Sequence, residues 1–586
     1  ALPPFVTLHE RTTMDDVQRE LREFQGVSVL IYEQTCAAEK RRRRKKGEYP
    51  QAPARVFINE LVCEGCGDCG VKSNCVSLLP KESEFGRKRV IDQSACNQDY
   101  SCIEGFCPSF VTLEGAQLRK SKAGLSAPND DFPALPEPQS ATLDGRPYNI
   151  LITGIGGTGV ITIGALLGMA AHLEGKGVSV LDMTGMSQKN GSVTSHVRIA
   201  PTLMAIHAQR IATGEANLIL GCDMLTAGAQ ETIAKTRPGV TVAIINTHEQ
   251  PPGTFAQQPD WQFPTETVRA LIDESVAGRA HFVDATRLAT ALLGDAIASN
   301  LFMLGFAFQQ GLVPLSFAAL ERAIELNGVA IDMNKSAFLW GRRAAVDLAR
   351  VERTATPAAP VVVQMPQSLD TLVRRRVEFL SDYQNAAYAT RYATLVEKVR
   401  SAEAKLHKSD SLAKAVAKSL FKLMAYKDEY EVARLYTDGQ FQQQLKATFA
   451  GDYKIKFHLA PPLIAKRDEK GHLRKASYGA WMFPAFKILA KLKFLRGGAL
   501  DLFGKTEERR MEWQLIDDYQ ASIEALLPRL SDANLKSAIE LAKLPEQIRG
   551  FGHVKLDNLQ KVRVRWRELE GELNRVQSNL PRHEAA

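Results

Sequence analysis

The rhythm of hydrophobic and polar positions divides the chain into contrasting parts. Between residues 148 and 353, short apolar runs alternate with longer helical stretches. Tyr148-Asn149-Ile150-Leu151-Ile152-Thr153 closes in glycines, and a helical stretch starts near Val160. Gly177–Asp182, Leu218–Cys222, Val240–Ile245 and His281–Asp284 are further strand candidates bounded by turn formers. This alternation predicts βαβ units and a mainly parallel sheet. From residue 368 the pattern is helical: Ser368 is placed to cap, Asp370 sits in the first turn, and Leu369, Leu372, Val373, Val377 and Leu380 follow at helical spacing. Leucine and alanine mixed with charges continue through Ile523–Leu544. Proline-rich connectors flank the alternating part, at 121–147 and 354–367. The layout is therefore an N-terminal piece (1–47), a cysteine module (48–120), a linker (121–147), an α/β domain (148–353), a second linker (354–367) and a mostly α domain (368–586).

Composition narrows the class. With 586 residues, 45% hydrophobic and 24% charged, the chain buries substantial cores and is neither disordered nor collagen-like. No run of about 18 or more apolar residues is available to span a bilayer; Val160–Leu173 is short and carries Thr162 and His172. No signal pattern follows Ala1, so a soluble, cytoplasmic protein is expected. Of the net charge of +8, the run Lys40–Lys46 supplies +7, leaving about +1 for the rest. That run reads as a solvated loop or helix end, or as a place for an acidic protein to dock. A nucleic-acid function is not expected, because aromatics are not interleaved with basic residues across any domain.

The chemistry lies in the cysteines. Seven of nine fall between Cys63 and Cys107. Such a cluster points to a metal or iron–sulfur centre rather than to disulfides. Cys63-x2-Cys66-x2-Cys69 offers three thiolates on one loop, and Cys107-Pro108 supplies a distant fourth. Gly65, Gly67 and Gly70 let the backbone wrap closely. Zinc prefers separated CxxC pairs. Cys75, Cys96 and Cys102 remain for a second site, where Asp99 stands at the middle cysteine position. Seven thiolates are one short of two four-iron clusters, so one or two [4Fe-4S] clusters are expected. Asp99 or another group is the eighth ligand, or the second site holds three irons, or its cysteines are structural.

Gly154-Ile155-Gly156-Gly157-Thr158-Gly159 follows a strand and opens a helix, with Asp182 ending the next strand. A dinucleotide fingerprint has this form, but so has a tight strand–helix turn that binds nothing. The candidate ligand contacts are Gly154, Gly156, Gly157, Thr158 and Gly159, and the loop Gly185–Ser192 is a further contact or an exposed loop. No catalytic triad, zincin or Walker motif is present, and His196, His458 and His553 read as structural. The turn Arg549-Gly550-Phe551-Gly552-His553 reads as packed before the last helix.

Three stretches together, Val62–Cys69, Phe106–Phe110 and Ile152–Gly159, resemble the 2-oxoacid:ferredoxin oxidoreductases, above all the fused bacterial indolepyruvate type. Lys335-Ser336-Ala337-Phe338, Tyr426-Lys427-Asp428-Glu429-Tyr430 and the Arg549–His553 turn fit the same family. The resemblance implies a ferredoxin-like iron–sulfur module, a doubly wound gamma-type α/β domain and a helical tail. Residues 1–47 are similar to the end of a thiamine-diphosphate domain, with Gly26–Glu33 as its last strand. The thiamine diphosphate and Mg then belong to a missing half or subunit, coenzyme A is the co-substrate, and ferredoxin takes the electrons. The complete enzyme is expected to be a homodimer, and this chain is not expected to be catalytically complete alone. The resemblance also lowers the case for a dinucleotide at Gly154–Gly159. The alternatives are an NAD(P)-linked iron–sulfur oxidoreductase and a zinc-stabilised interaction protein.

Overall fold

The computed structural model describes residues 3–119, 132–185, 191–355, 368–406, 409–462, 464–469 and 471–578. Residues 121–131 of the first expected linker, residues 356–367 of the second, and residues 186–190 of the expected Gly185–Ser192 loop lie outside these. The chain forms two compact units, Ala1–Gln51 and Ala52–Ala586.

The first unit holds two helices, α1 (Met14–Glu23) and α2 (Ala37–Lys46). The basic run forms most of α2. Glu39 offsets part of its repulsion by pairing with Arg42 at 2.7 Å and Arg43 at 3.0 Å, one turn away. Gly26–Glu33 is not the strand that was expected. Val27, Val29 and Ile31 alternate correctly but are 93%, 75% and 84% exposed. No described segment of this unit offers them a ladder, and a lone strand has no partner for its backbone groups.

The second unit opens with β1 (Ala54–Ile58), helix α3 (Asp68–Ser73), β2 (Leu78–Lys81), β3 (Lys88–Ile91), β4 (Phe110–Glu114) and β5 (Gln117–Leu118). The alternating region gives β6 (Tyr148–Ile155), helix α4 (Val160–Leu173), β7 (Gly177–Thr184), β8 (Ser192–Ala200), β9 (Leu218–Gly221), β10 (Val242–Asn246) and β11 (Ala280–Val283). These six strands form one sheet in the order β11-β10-β9-β6-β8-β7. Five run the same way, but β8 runs against both neighbours. β7 and β8 are a long hairpin, Gly177 facing Ala200 and Thr184 facing Val193, and its return strand lies between β6 and β7. Behind the sheet, helix Ser299–Gln309 is buried almost throughout and crosses helix Ile331–Val346 at backbone contact. A Cβ on Gly305 would stand 2.0 Å from the Phe338 carbonyl oxygen, and one on Gly341 only 1.9 Å from that of Phe302.

Residues 132–147 are not a free connector. Phe132 meets Trp340 edge-on at 5.4 Å, and Ala141 N–H donates to Gly311 O at 2.9 Å. The C-terminal region is mostly helical as expected, yet it adds β12 (Phe449–Ala450), β13 (Lys454–Leu459) and β14 (Ala476–Tyr478). A second sheet runs β1-β4-β13-β14, all antiparallel, and β12 pairs with β5. The cysteine module therefore borrows half of its main sheet from the C-terminal region. The reason is core size: Val111 and Leu113 of β4 are buried in one core with Tyr436, Phe441, Phe449, Phe457 and Phe486 of the C-terminal region. Among the described residues no helix is long and apolar enough to cross a membrane.

Candidate metal centre

Buried Asn59 anchors the start of the cysteine loop. Its amide donates to Leu435 O at 3.0 Å, its Oδ1 accepts from Leu61 N–H at 3.1 Å, and its carbonyl accepts from Cys63 N–H at 3.0 Å. Gly65 and Gly67 then take φ of 66° and 83°. Neither has room for a side chain: a Cβ would stand 2.2 Å from Arg87 O and 2.5 Å from Pro259 Cβ, respectively. Asp68, opening α3, accepts Phe106 N–H at 2.6 Å and so ties the loop to the distant Cys107 segment. Gly105 completes that contact, because a Cβ there would lie 2.7 Å from Cys69 Cα.

Cys63, Cys66, Cys69 and Cys107 consequently line one small cavity with Ile58, Arg89 and Phe110. Burial, followed by the neighbouring thiols of Cys107 and Cys63, pushes the Cys66 thiol well up. Burial and the same two neighbours, with Cys66, push Cys69 up as well. Thiols such as Cys66 and Cys69 resist ionising together unless a metal supplies compensating positive charge. Gly65 N–H points at Cys63 Sγ at 3.4 Å, and Ser109 Oγ lies 2.9 Å from Cys107 Sγ.

A second group stands apart. Burial, then Cys75, Cys96 and Asp99, raises the Cys102 thiol, and Cys96 is raised chiefly by burial with Cys75 and Asp99 beside it. The chain wraps around this group through unusual backbone, with φ of 57° at Gln98 and 65° at Tyr100. Tyr100 fixes the wrap by donating to Ala54 O at 3.0 Å and accepting Ala54 N–H at 3.1 Å. Gln98 N–H points at Cys96 Sγ at 3.4 Å. Asp99 is exposed, its Oδ1 accepting from Ser101 Oγ at 3.0 Å. Among the described residues, no three His, Cys, Asp or Glu side chains converge as the shell of a single ion.

Sequence reasoning missed the cations around the first group. Lys88 donates to Cys63 O at 2.8 Å, and Lys427 reaches the same carbonyl at 3.3 Å while pairing with Glu64. Burial, then the second ammonium, brings Lys88 down to about 8. Burial alone would raise Glu64, but Lys427 and Lys88 hold it at about 2. Arg89 donates to Pro259 O at 2.9 Å and stacks over Phe255 at 4.5 Å. Lys475 donates to Ile103 O and Gly105 O at 2.5 and 2.6 Å. The Arg549–His553 turn is indeed packed, and what it packs on is the cysteine loop. A Cβ on Gly550 would lie 3.4 Å from Cys66 Cβ, and one on Gly552 would lie 2.6 Å from the Phe106 ring. His553 itself stacks on His472 at 4.0 Å and meets the Phe106 ring at a tilt, 4.8 Å away.

The glycine turn after β6 is held by its own contacts. Thr158 Oγ1 donates to Ile155 O at 2.7 Å, Gly156 N–H donates to Gly191 O at 2.8 Å, and Asn300 Nδ2 fills the place of a Gly159 Cβ at 2.0 Å. Asp182 is exposed on the outermost strand, and β8 separates it from β6. Asp182 thus does not stand on the strand beside the turn, where the acid of a dinucleotide fingerprint sits. His196 and His458 are structural: His196 Nδ1 accepts Ile211 N–H at 3.1 Å, and His458 Nε2 meets Thr112 Oγ1 at 3.0 Å.

Residues 149–344, which contain the six-stranded sheet, match the family model "Pyruvate ferredoxin/flavodoxin oxidoreductase". Over 205 residues the chain is 31% identical to the indolepyruvate oxidoreductase subunit IorB of Pyrococcus horikoshii, covering 98% of that protein and 35% of this chain. The chain belongs to the 2-oxoacid:ferredoxin oxidoreductase family. A second family member, subunit IorB of Thermococcus kodakarensis, is 30% identical over 207 residues, again covering 98% of that protein and 35% of this chain. Among solved structures, the pyruvate oxidoreductase subunit PORC of Thermotoga maritima is similar at 19% identity and a TM-score of 0.25, over 34% of this chain and 96% of that one. This chain is accordingly part of a 2-oxoacid:ferredoxin oxidoreductase. Residues 369–568 match a different model, a family of unknown function, DUF6537. The cysteine module precedes both matched segments in sequence but lies between them in space, touching Pro259 on one side and Lys427, Lys475 and Gly550 on the other.

Proposed function

We propose that this chain is the electron-transfer and gamma portion of the family's enzyme, with indolepyruvate or another aryl or branched 2-oxoacid as substrate. One observation carries the reading: Cys63, Cys66, Cys69 and Cys107, from opposite ends of the module, line a single cavity. Sulfur donors, N–H groups aimed at sulfur and glycines without room for a Cβ suit a four-iron cluster there. Cys75, Cys96 and Cys102 are the thiols for a second, and Asp99, next to them in the same wrap of chain, is the candidate for its fourth donor. When bound, the clusters supply one-electron carriers. The chain's residues hold them, exclude water with Ile58 and Phe110, and steady the sulfurs with Gly65 and Gln98 N–H groups. Thiamine diphosphate, Mg and the coenzyme A reaction belong to a companion portion of the enzyme, and an external ferredoxin receives the electrons. That two relatives are named as subunits supports the need for a companion.

The test is iron and acid-labile sulfide per chain after anaerobic purification. About eight of each supports two four-iron clusters, and Asp99→Ala should then lower the iron while leaving the first cluster intact. Zinc without sulfide overturns the reading.

A further inference from the structure

The matched segment of unknown function, residues 369–568, places an ammonium group between the two cysteine groups. Lys475 stands just before β14, and that strand is fixed by β13, Leu459 facing Ala476. Its Nζ donates to Ile103 O at 2.5 Å and to Gly105 O at 2.6 Å, on the short stretch between Cys102 of one group and Cys107 of the other. The same nitrogen lies 5.3 Å from the centre of the Phe110 ring, which walls the first cavity. Its electrostatic neighbours are Cys107, Cys102, Cys69 and Asp68, so thiols of both groups feel it. Lys88 also bonds a neutral carbonyl, Cys63 O, but on the first group alone, and two other lysines differ. Lys427 meets Glu64, and Lys555 meets Glu512 at 2.6 Å, so much of their charge is balanced on the spot. Lys475 gives both of its bonds to neutral carbonyls and keeps its charge for the surroundings.

We infer that Lys475 is a positioning residue that raises the reduction potential of the clusters on either side of it. The inference rests on the cluster reading above. A group that gains an electron gains a negative charge, and a nearby fixed cation stabilises the reduced form more than the oxidised one. Partial burial preserves that effect, because little water screens it. The segment of unknown function thereby acquires a role: it sets the driving force for electron uptake as well as closing the site.

The experiment is a redox titration followed by electron paramagnetic resonance on the full chain, purified anaerobically, as wild type, Lys475→Met, Lys475→Gln and Lys475→Arg. The uncharged variants should retain iron and become harder to reduce. At a fixed solution potential their reduced-to-oxidised ratio should fall about tenfold, equivalent to about 59 mV for one electron. Lys475→Arg should titrate as wild type. A full iron complement with an unmoved potential in Lys475→Met and Lys475→Gln overturns the inference. So does loss of iron from both, which would make the lysine structural. A wild-type chain without iron and sulfide is a different failure, since it removes the cluster reading itself.

Discussion

Thr112 and His458, 346 residues apart in the chain, lie side by side and share a 3.0 Å hydrogen bond. They mark the junction where β4, which follows Cys107, pairs with β13 of the C-terminal region. Next along that ladder, Val111 faces Phe457. Phe457 is fully buried and touches Tyr436 at 5.1 Å, Phe483 at 5.1 Å and Phe486 at 5.2 Å. Phe457→Ala should therefore cost about 3–5 kcal/mol in urea unfolding. It should also lower the iron retained, because β4 carries the wall of the cavity.

The crossing of helices Ser299–Gln309 and Ile331–Val346 leaves no room for a methyl group. Gly341→Ala sets a Cβ against the Phe302 carbonyl, and Gly305→Ala sets one against that of Phe338. Each should cost at least the upper end of the usual overpacking range, about 1–3 kcal/mol. The urea midpoint should fall with little change in slope.

His196 makes stability depend on pH. Its Nδ1 accepts the Ile211 N–H, which only an unprotonated nitrogen can do. Burial, then Arg210, Lys235 and Arg198, brings its pKa from 6.5 down to about 4. The unfolded chain therefore binds this proton first as the pH falls. The stability is complete above the unfolded value of about 6.5 and is lost as the pH drops through about 4. The whole effect is about 3 kcal/mol, at roughly 1.4 kcal/mol per unit. His196→Asn keeps an acceptor that does not titrate. The difference between wild type and variant, measured by urea unfolding at several pH values, should shrink across that window in the wild type's disfavour. His458, also held near 4, is present in both and cancels.

Ligand assignment can be read from paired substitutions. Cys66→Ala should remove about four irons and leave the second group's signal, whereas Cys96→Ala should do the reverse. If either substitution empties both sites while the fold survives by circular dichroism, the division into two groups is wrong.

Much of the α/β part was legible because its signals are dense. The strands at 148–155, 177–184, 218–221, 242–246 and 280–283, and the helix from Val160, fall where short apolar runs and glycines indicated. The reversed strand β8 was not foreseen, because nothing local says where a hairpin's second strand will pair. Lys454–Leu459 was missed although Ile455, Phe457 and Leu459 alternate with polar residues. It is a six-residue strand surrounded by leucine-rich helices, and the longer rhythm masks it. At the candidate site the thiols stood out by spacing. Lys88, Lys427 and Lys475 did not, since lysine in a sequence reads as surface unless its partner is known, and these partners are backbone carbonyls far away in the chain.

The contact between Glu64 and Lys427 spans 363 residues. At about 5–20 residues per second of synthesis, the cysteine loop leaves the ribosome roughly 20–70 s before the lysine that covers it exists. Gly550 and Gly552, which press on Cys66 and Phe106, come later still. On the proposed cluster reading, one side of the loop is open for that interval to whatever delivers iron, and afterwards it is shut, with no room for a methyl group between Gly552 and Phe106. The order of the segments along the chain thus gives loading a time as well as a place.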